Sequence, residues 1–370
     1  MACLDAPIDF TVLQDRDAYS RVVADHYRKL QNHWLTPAEL FRPHLGRSIA
    51  AYIVKRLEEK QWNRPVTLVE LGGGTGSLAC DILEWIQQHR RDIYGSCRYI
   101  SMDISENLAR MQQRRAWQHG HENVFQSHVG DACMAETWKS VIGDEECFII
   151  GMEVLDNLPH DKVTAMDGGD GEMVWMETCV GEEEVFRPVS DDVIRRVLDI
   201  YLEMRESHPS SMGGGNPMVD AVFKWLLDAQ RIPEPIFLPT AAFMLFETIH
   251  TTVPKHELIL SDFDYLPDVV VPGEHAPLVS STEGGRTRDW GTLFAPFGSA
   301  DIFFPTNFEL LKRLYQSLST SQGIVQYEKA EEFFKKTIPD MSQVATQSGF
   351  VPLIEDYSNT SFLLTTQKTW

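Results

Sequence analysis

Four stretches carry side chains that could do chemistry, and each lies where an apolar, strand-like run gives way to polar residues. The first is Val66-Thr67-Leu68-Val69-Glu70-Leu71, followed by Gly72-Gly73-Gly74-Thr75-Gly76. Glycine at Gly72, Gly74 and Gly76 permits left-handed backbone and lets a ligand approach where a Cβ would collide. Helical spacing from Leu78 to Gln88 then presents free N–H groups and a positive dipole end, suited to something polar or anionic. A nicotinamide or flavin site wants G-x-G-x-x-G; here the order is Glu70-x-Gly72-x-Gly74-x-Gly76, with the acid ahead of the glycines. The second stretch, Arg98 to Asp103, ends in a carboxylate able to accept both hydroxyls of a ribose. The third, Val124 to Val129, leads into Gly130-Asp131-Ala132, where Asp131 could bond an adenine amino group. The fourth, Cys147 to Met152, leads into Glu153, with Asp156 three residues on. Two carboxylates so placed could grip a guanidinium or orient an amine nucleophile. Helix capping competes as an explanation for each carboxylate taken singly, and packing for the glycine turn; the ordered set favours a ligand site.

These strands alternate with helices, one of them from Glu106 to Trp117, so the expected fold is an open α/β sheet with ligands at the carboxyl ends of its strands. Ahead of it, Tyr19, Val22, Val23, His26, Tyr27 and Leu30 share one helical face, and Leu45, Ile49, Tyr52, Ile53 and Leu57 share another. Between them Thr36-Pro37-Ala38-Glu39 has the form of a capping box. Residues 1–62 are therefore read as a helical segment able to cover the ligand and exclude water, and 63–160 as the binding core. Residues 161–238 read as an inserted subdomain: a hairpin from Lys162 to Val180 turning at Asp167-Gly168-Gly169-Asp170-Gly171, a helix after Ser190, and a flexible link at Pro209 to Pro217. Residues 239–370 read as the rest of the sheet, with a strand from Leu258 to Phe263 and a proline- and glycine-rich lid at 264–305. Arg286 and Arg288 in that lid are read as solvated.

Composition sets the limits. The chain has 370 residues, 43% apolar with nine tryptophans, enough for a sizeable core. No run nears the roughly 18 apolar residues of a membrane span, so a soluble protein is expected. A net charge of −21 argues against a nucleic-acid partner and fits a cationic one. Six cysteines without a Cys-x-x-Cys pair point to reduced thiols in a non-secretory compartment. His119-Gly120-His121 lacks further ligands at a usual spacing, so no metal is expected. The first seventeen residues hold four aspartates against one arginine, unlike a mitochondrial presequence.

The glycine turn resembles motif I of the S-adenosylmethionine-dependent methyltransferases, and four further segments narrow the resemblance to the MidA-like family. Its threonine-serine-proline-glutamate motif is echoed by Thr36-Pro37-Ala38-Glu39, and its Glu-Leu-Gly-x-Gly-x-Gly turn by Glu70 to Gly76. Its asparagine-glutamate-x-x-aspartate-alanine-leucine-proline segment is matched from Met152 to Pro159, with Met152 and Asn157 as departures. Ser261-Asp262-Phe263 and Gly298-Ser299-Ala300-Asp301-Ile302 complete the set. The resemblance implies a class I methyltransferase sheet, Rossmann-like, whose last strand, Ser361 to Gln367, runs antiparallel. It implies S-adenosyl-L-methionine as cofactor, held by Glu70, Gly72, Gly74, Gly76, Asp103, Asp131 and Ala132. Glu153 and Asp156 would be catalytic, and Thr36, Glu39, Pro159 and Asp262 would cover substrate or cofactor. The implied reaction is dimethylation of a protein arginine, in the animal members on a core subunit of respiratory complex I, which would make the protein mitochondrial; the cytoplasm is the alternative. An assembly chaperone that keeps the fold without turnover, a small-molecule methyltransferase and a homodimer stay open.

Overall fold

The computed structural model describes residues 6–29, 35–143, 145–169, 172–181, 183–207, 234–283, 286–318 and 323–367. The link at 209–217, Leu30 and the turn residues Asp170 and Gly171 lie outside them. The chain begins with helices α1 (Arg16–Lys29), α2 (Pro37–Leu40) and α3 (His44–Glu59). Strand β1 (Val66–Leu71), buried along its whole length, then enters the centre of the main sheet. Its neighbours follow in alternation: α4 (Ser77–His89), α5 (Arg91–Tyr94), β2 (Cys97–Asp103), α6 (Glu106–Gln118), β3 (Phe125–Val129), α7 (Ala135–Val141) and β4 (Cys147–Met152). Crossovers of this kind force the strands parallel, and β2, β1 and β4 pair in parallel register.

Next come β5 (Asp161–Asp167), β6 (Met173–Val180), β7 (Glu184–Pro188), α8 (Asp192–Ser207), β8 (Ile236–Leu238), α9 (Thr240–Thr252) and β9 (His256–Phe263). The last third holds β10 (Leu278–Glu283), β11 (Arg286–Asp289), β12 (Asp301–Phe303), α10 (Phe308–Leu318), β13 (Ile324–Lys329), α11 (Ala330–Thr337), α12 (Pro352–Glu355) and β14 (Thr360–Thr366). Among the described residues the main sheet has seven strands in the order β13-β14-β9-β4-β1-β2-β3, with β14 antiparallel to both neighbours. This is the α/β class I methyltransferase sheet. One face packs on α3, α4 and α11 through Leu45, Ile49, Ile82 and Phe333. The other packs on α7, α8, α9 and α10 through Trp138, Tyr201, Phe246 and Leu311.

The hairpin β5–β6 belongs to a four-stranded antiparallel sheet, β7-β6-β5-β8. The stretch 264–305, expected to be an irregular lid, is a small fold instead. Its strands form a sheet in the order β11-β10-β12 over a core of Phe237, Val271, Ala276, Val279 and Phe304. Two backbone bonds sew it to the main sheet: Phe304 N–H donates to Asp156 O at 2.9 Å and Thr306 N–H to Phe263 O at 2.8 Å. Arg288 lays its guanidinium over Trp290 at 4.0 Å, so it is not simply solvated.

The amino-terminal helices are locked to the sheet from behind. Arg42 pairs with Asp81 of α4 at 3.1 and 3.2 Å in a buried fork. Gly46 lets α3 approach closely, since a Cβ there would sit 2.6 Å from Asp81 Cβ. The capping box did not form. Thr36 is the N-cap of α2 but makes no side-chain cap. Glu39 turns inward to the Thr75 and Ser77 hydroxyls and to Arg115 at 3.4 Å. Two hydroxyls and a guanidinium satisfy a buried carboxylate better than the one backbone N–H a cap would offer.

Candidate active site

At the end of β1 the chain reverses through Gly72, Gly74 and Gly76, at φ +62, +52 and +82, a region L side chains rarely adopt. Gly76 is the N-cap of α4 and supplies no side chain to its first N–H groups, which stay available to a ligand. The turn is braced from below. Gln112 of α6 donates to Gly74 O at 3.1 Å and to Asp103 Oδ2 at 3.0 Å. Glu70 accepts from Tyr99 OH at 3.1 Å, yet burial and then the charge of Asp103 push its carboxyl up to about 7.

Asp103, at the tip of β2, accepts from Ser105 N–H at 2.8 Å, while Ser105 itself caps α6 through Leu108 N–H. Burial raises the Asp103 carboxyl, and the Ser105 and Gln112 bonds oppose it. Each oxygen keeps a lone pair for another donor. Beside it Ile104 is 78% exposed, and the exposed Val129 lies opposite Asp103 in the β2–β3 register. This apolar shelf for a flat ring went unnoticed in the sequence, though a lone isoleucine after the strand-end acid was its signal. Asp131 is exposed and accepts from Cys133 N–H at 2.8 Å, and Ala132 O accepts from Trp138 Nε1 at 2.7 Å. Both follow β3, outside the two cavities described next.

Glu153, one residue past β4, is held at φ +56, a strained conformation for a non-glycine residue and one that clusters at functional sites. It lies on the wall between two cavities. A small one of about 50 Å³ is bounded by Glu39, Glu70, Gly72 to Thr75 and Met152. A larger groove of about 600 Å³ opens on the other side, and among the described residues only Thr36 and Glu153 line both. The groove carries the carboxylates of Asp156, Asp301 and Asp356 among Phe41, Phe263, Phe303 and Tyr357. Among the described residues no Lys, Arg or His side chain lines it.

The carboxylates are electrostatically crowded. Burial first, then Asp262 and Asp156, hold the Glu153 carboxyl well above its usual range. Tyr357 OH lies 3.5 Å from Glu153 Oε1 and opposes the shift. Burial moves Asp156 up to about 6, against a 2.5 Å bond from Asn157 Nδ2. Asp262 sits behind them, fully enclosed; it takes N–H bonds from Leu155 at 2.8 Å, Asp156 at 3.1 Å and Phe263 at 2.8 Å. It orients the 155–156 backbone and does not reach the groove. Pro159 is exposed and lines neither cavity. Tyr357, 204 residues from Glu153, and Asp356 beside it are site residues that the fold reveals and the sequence did not.

Among the described residues no helix is long and apolar enough to cross a membrane, and no group of three or more His, Cys, Asp and Glu could hold a metal. Residues 48–325 match the model of a family of S-adenosyl-L-methionine-dependent methyltransferases. The chain is 25% identical over 307 residues to the mitochondrial protein arginine methyltransferase NDUFAF7 homolog of Schizosaccharomyces pombe, covering 75% of this chain and 61% of that one. With the Saccharomyces cerevisiae homolog it shares 24% over 132 residues, 34% of this chain and 33% of that one. It thus spans less than two thirds of the length of these curated relatives. Two crystal structures from Burkholderia thailandensis share the fold. One superfamily member bound to S-adenosyl-homocysteine has a TM-score of 0.59 at 16% identity, covering 90% of this chain and 79% of that one. An uncharacterized protein of the same superfamily has a TM-score of 0.57 at 13% identity, with 96% and 95% covered.

Proposed function

We propose, from the premise that this chain belongs to the MidA-like family of S-adenosyl-L-methionine-dependent methyltransferases, that it methylates an arginine guanidinium of a protein. The observation that carries this reading is the position of Glu153, between the glycine-turn cavity and an acidic, aromatic groove that no cation lines among the described residues. A guanidinium supplies the missing charge, and its flat faces suit the aromatic walls.

The residues present fit the cofactor. Three left-handed glycines bring the backbone of the turn round to the head of α4, the uncapped end of α4 offers N–H groups, Asp103 has lone pairs for ribose hydroxyls, and Ile104 offers a face for adenine. Asp131 and Ala132 would border that end. A volume of about 50 Å³ admits the amino-acid end at most, so the nucleoside would lie across the turn towards Asp103. When bound, the cofactor supplies a methyl group on a sulfonium, which leaves as its bond to sulfur breaks and one to nitrogen forms.

The protein's own part is positioning and proton handling. Glu153 and Asp156 would accept the guanidinium N–H bonds, localise a lone pair on the nitrogen facing the glycine turn, and take up the proton released on methylation. Arrival of the cation would lower both carboxyls from their raised values, so the pair is charged when it is needed. Thr36 and Glu39 would cover the junction.

Calorimetric titration with S-adenosyl-L-methionine, on wild type and Gly74→Val, tests the first half. Micromolar binding that the substitution abolishes is expected; no binding by folded wild type overturns it. Transfer of labelled methyl to arginine peptides, and not to lysine peptides, tests the second half.

A second reading, a scaffold without turnover, is favoured by one observation: the segment beside Glu153 and Asp156 departs from the family pattern at Met152 and Asn157. It predicts cofactor binding without transfer to any peptide. The relatives' names support a mitochondrial location, which fractionation would test, and the family resemblance makes a core subunit of respiratory complex I the first acceptor to try.

A further inference from the structure

The groove is walled on one side by the edge strand β12, whose middle residue, Ile302, has its backbone open among the described residues. In the sheet β11-β10-β12, Val279 of β10 gives its carbonyl to Trp290 N–H at 2.8 Å, so its ladder groups face away from β12. Its cross-strand partner Ile302 therefore turns its own N–H and C=O to the outer edge. Two residues on, that same edge is occupied: Phe304 N–H reaches the carbonyl of Asp156. The open backbone of Ile302 thus continues, one step further, a row of bonds that begins at Asp156. Side chains of β12 alternate, with Asp301 and Phe303 lining the groove and Ile302 on the opposite, partly exposed face.

Leading into this strand, Leu293, Ala295 and Ala300 anchor the chain to the small core, while Phe294 is exposed and Phe297 fully so. Val270, also exposed, lies near the same loop: a Cβ on Gly291 would be 3.6 Å from Val270 Cγ1. The chain that carries the exposed Phe294 and Phe297 thus leads within four residues into the strand whose Ile302 backbone is open among the described residues. We infer that this edge docks the substrate as an added β-strand: an extended segment whose arginine enters the groove and whose neighbours on either side are apolar. The inference rests on the arginine reading above and adds the substrate's conformation and flanking residues.

Pairing geometry fixes the pattern. A residue bonded to Ile302 lies on the Ile302 face, beside that apolar and partly exposed side chain, and its neighbours lie on the groove face. The arginine is one of those neighbours, so the positions before and after it project to the Ile302 face. Among the described residues no cation lines the groove, and the chain's formal charge is −21, so a segment rich in carboxylates is disfavoured and a cationic one is drawn in.

The probe is a fluorescein-labelled peptide with one central arginine flanked by isoleucines in a serine and glycine background. It is compared with the same peptide carrying serines as flanks, and with the isoleucine peptide N-methylated at both flanking amides. Anisotropy is read on the full chain saturated with S-adenosyl-homocysteine, and label transfer on the chain with S-adenosyl-L-methionine. Isoleucine flanks are expected to bind about tenfold tighter than serine flanks, N-methylation to remove that gain, and Phe297→Ser and Ile302→Pro to reduce it severalfold. Phe297 is fully exposed, so its variant folds and isolates the surface. Equal binding of all three peptides, or a Phe297→Ser variant and an Ile302→Pro variant both indistinguishable from wild type, overturns the docking edge. Selective binding without methyl transfer keeps the edge and overturns the catalytic reading; transfer indifferent to the flanks does the reverse.

Discussion

Replacing Glu153 by glutamine should make the protein more stable and nearly inactive, because the two effects have one origin. The carboxyl is held above its usual range by burial and by Asp262 and Asp156, so the folded state opposes its ionisation. For an acid raised in this way, the stability it contributes is intact at low pH and is lost as pH rises through the folded-state value. Wild type should therefore lose more stability than the variant as pH rises from 5 to 8, the shared loss from other raised carboxyls such as Glu70 cancelling in the difference. Glutamine keeps the shape and one acceptor oxygen, and the φ of +56 is no worse for it. Catalysis moves the other way. A hydrogen bond from the guanidinium to a charged partner is worth about 1.5–3 kcal/mol, and proton uptake by a placed base a further factor of about 10² or more. Together these lower kcat/KM by roughly 10³. Thermal unfolding at the two pH values and transfer of labelled methyl to an arginine peptide read both effects. A variant that retains wild-type turnover, or whose stability difference from wild type does not grow with pH, refutes the reasoning.

Three further outcomes follow from the same structure. Gly76→Ala places a side chain at φ +82 with its Cβ 2.9 Å from Gln112 Cα; strain and clash should cost about 2–4 kcal/mol in chemical denaturation and weaken cofactor binding in calorimetry. Arg42→Ala strands the buried Asp81 and should destabilise by about 3–5 kcal/mol, whereas Arg42→Met with Asp81→Leu should recover most of the loss. Glu70, raised from 4.5 to about 7, contributes stability that is full below pH 4.5 and lost through pH 7, on the order of 3 kcal/mol, so the decline in denaturant midpoint over that window should flatten in Glu70→Gln.

What the sequence made legible was whatever a local pattern dictates. Strands β1 to β4 are short runs, apolar in β1 and β4, followed by glycine or acid, and their parallel pairing follows from the helices between them. Strand β12 was invisible because three half-exposed residues carry no periodicity, and β8 because it is equally short and follows the pair of prolines at Pro233 and Pro235. Without those strands a folded unit looks like a lid. The capping box at Thr36 failed for a related reason: the pattern is local, but the donors that captured Glu39 come from Thr75, Ser77 and Arg115, 36 to 76 residues away. The site followed the same rule. The order of Glu70, Asp103 and Glu153 along the chain was readable, whereas the cavities on either side of Glu153, and Tyr357 against it, exist only once α2, β12 and the last turn of chain before β14 have converged.

That convergence explains why the strain falls where it does. Met152 pairs with Ser261, and Glu153 N–H donates to Ser261 O at 2.9 Å, so β4 stays attached to β9 one residue beyond its own end. The chain must then leave the sheet at once, because Asp262 has taken the N–H groups of Leu155 and Asp156. Glu153 absorbs the change of direction in its backbone. An ordinary β conformation would alternate its side chain away from that of Met152, whereas both side chains line the cavity of the glycine turn. The left-handed backbone is thus the geometric condition for one carboxylate to lie between the cofactor turn and the acidic groove. Asp262 enforces that condition through the backbone while also raising the Glu153 carboxyl by its charge. The residue that fixes the backbone and the residue that faces the groove are therefore coupled, and a cation entering the groove relieves the repulsion between them.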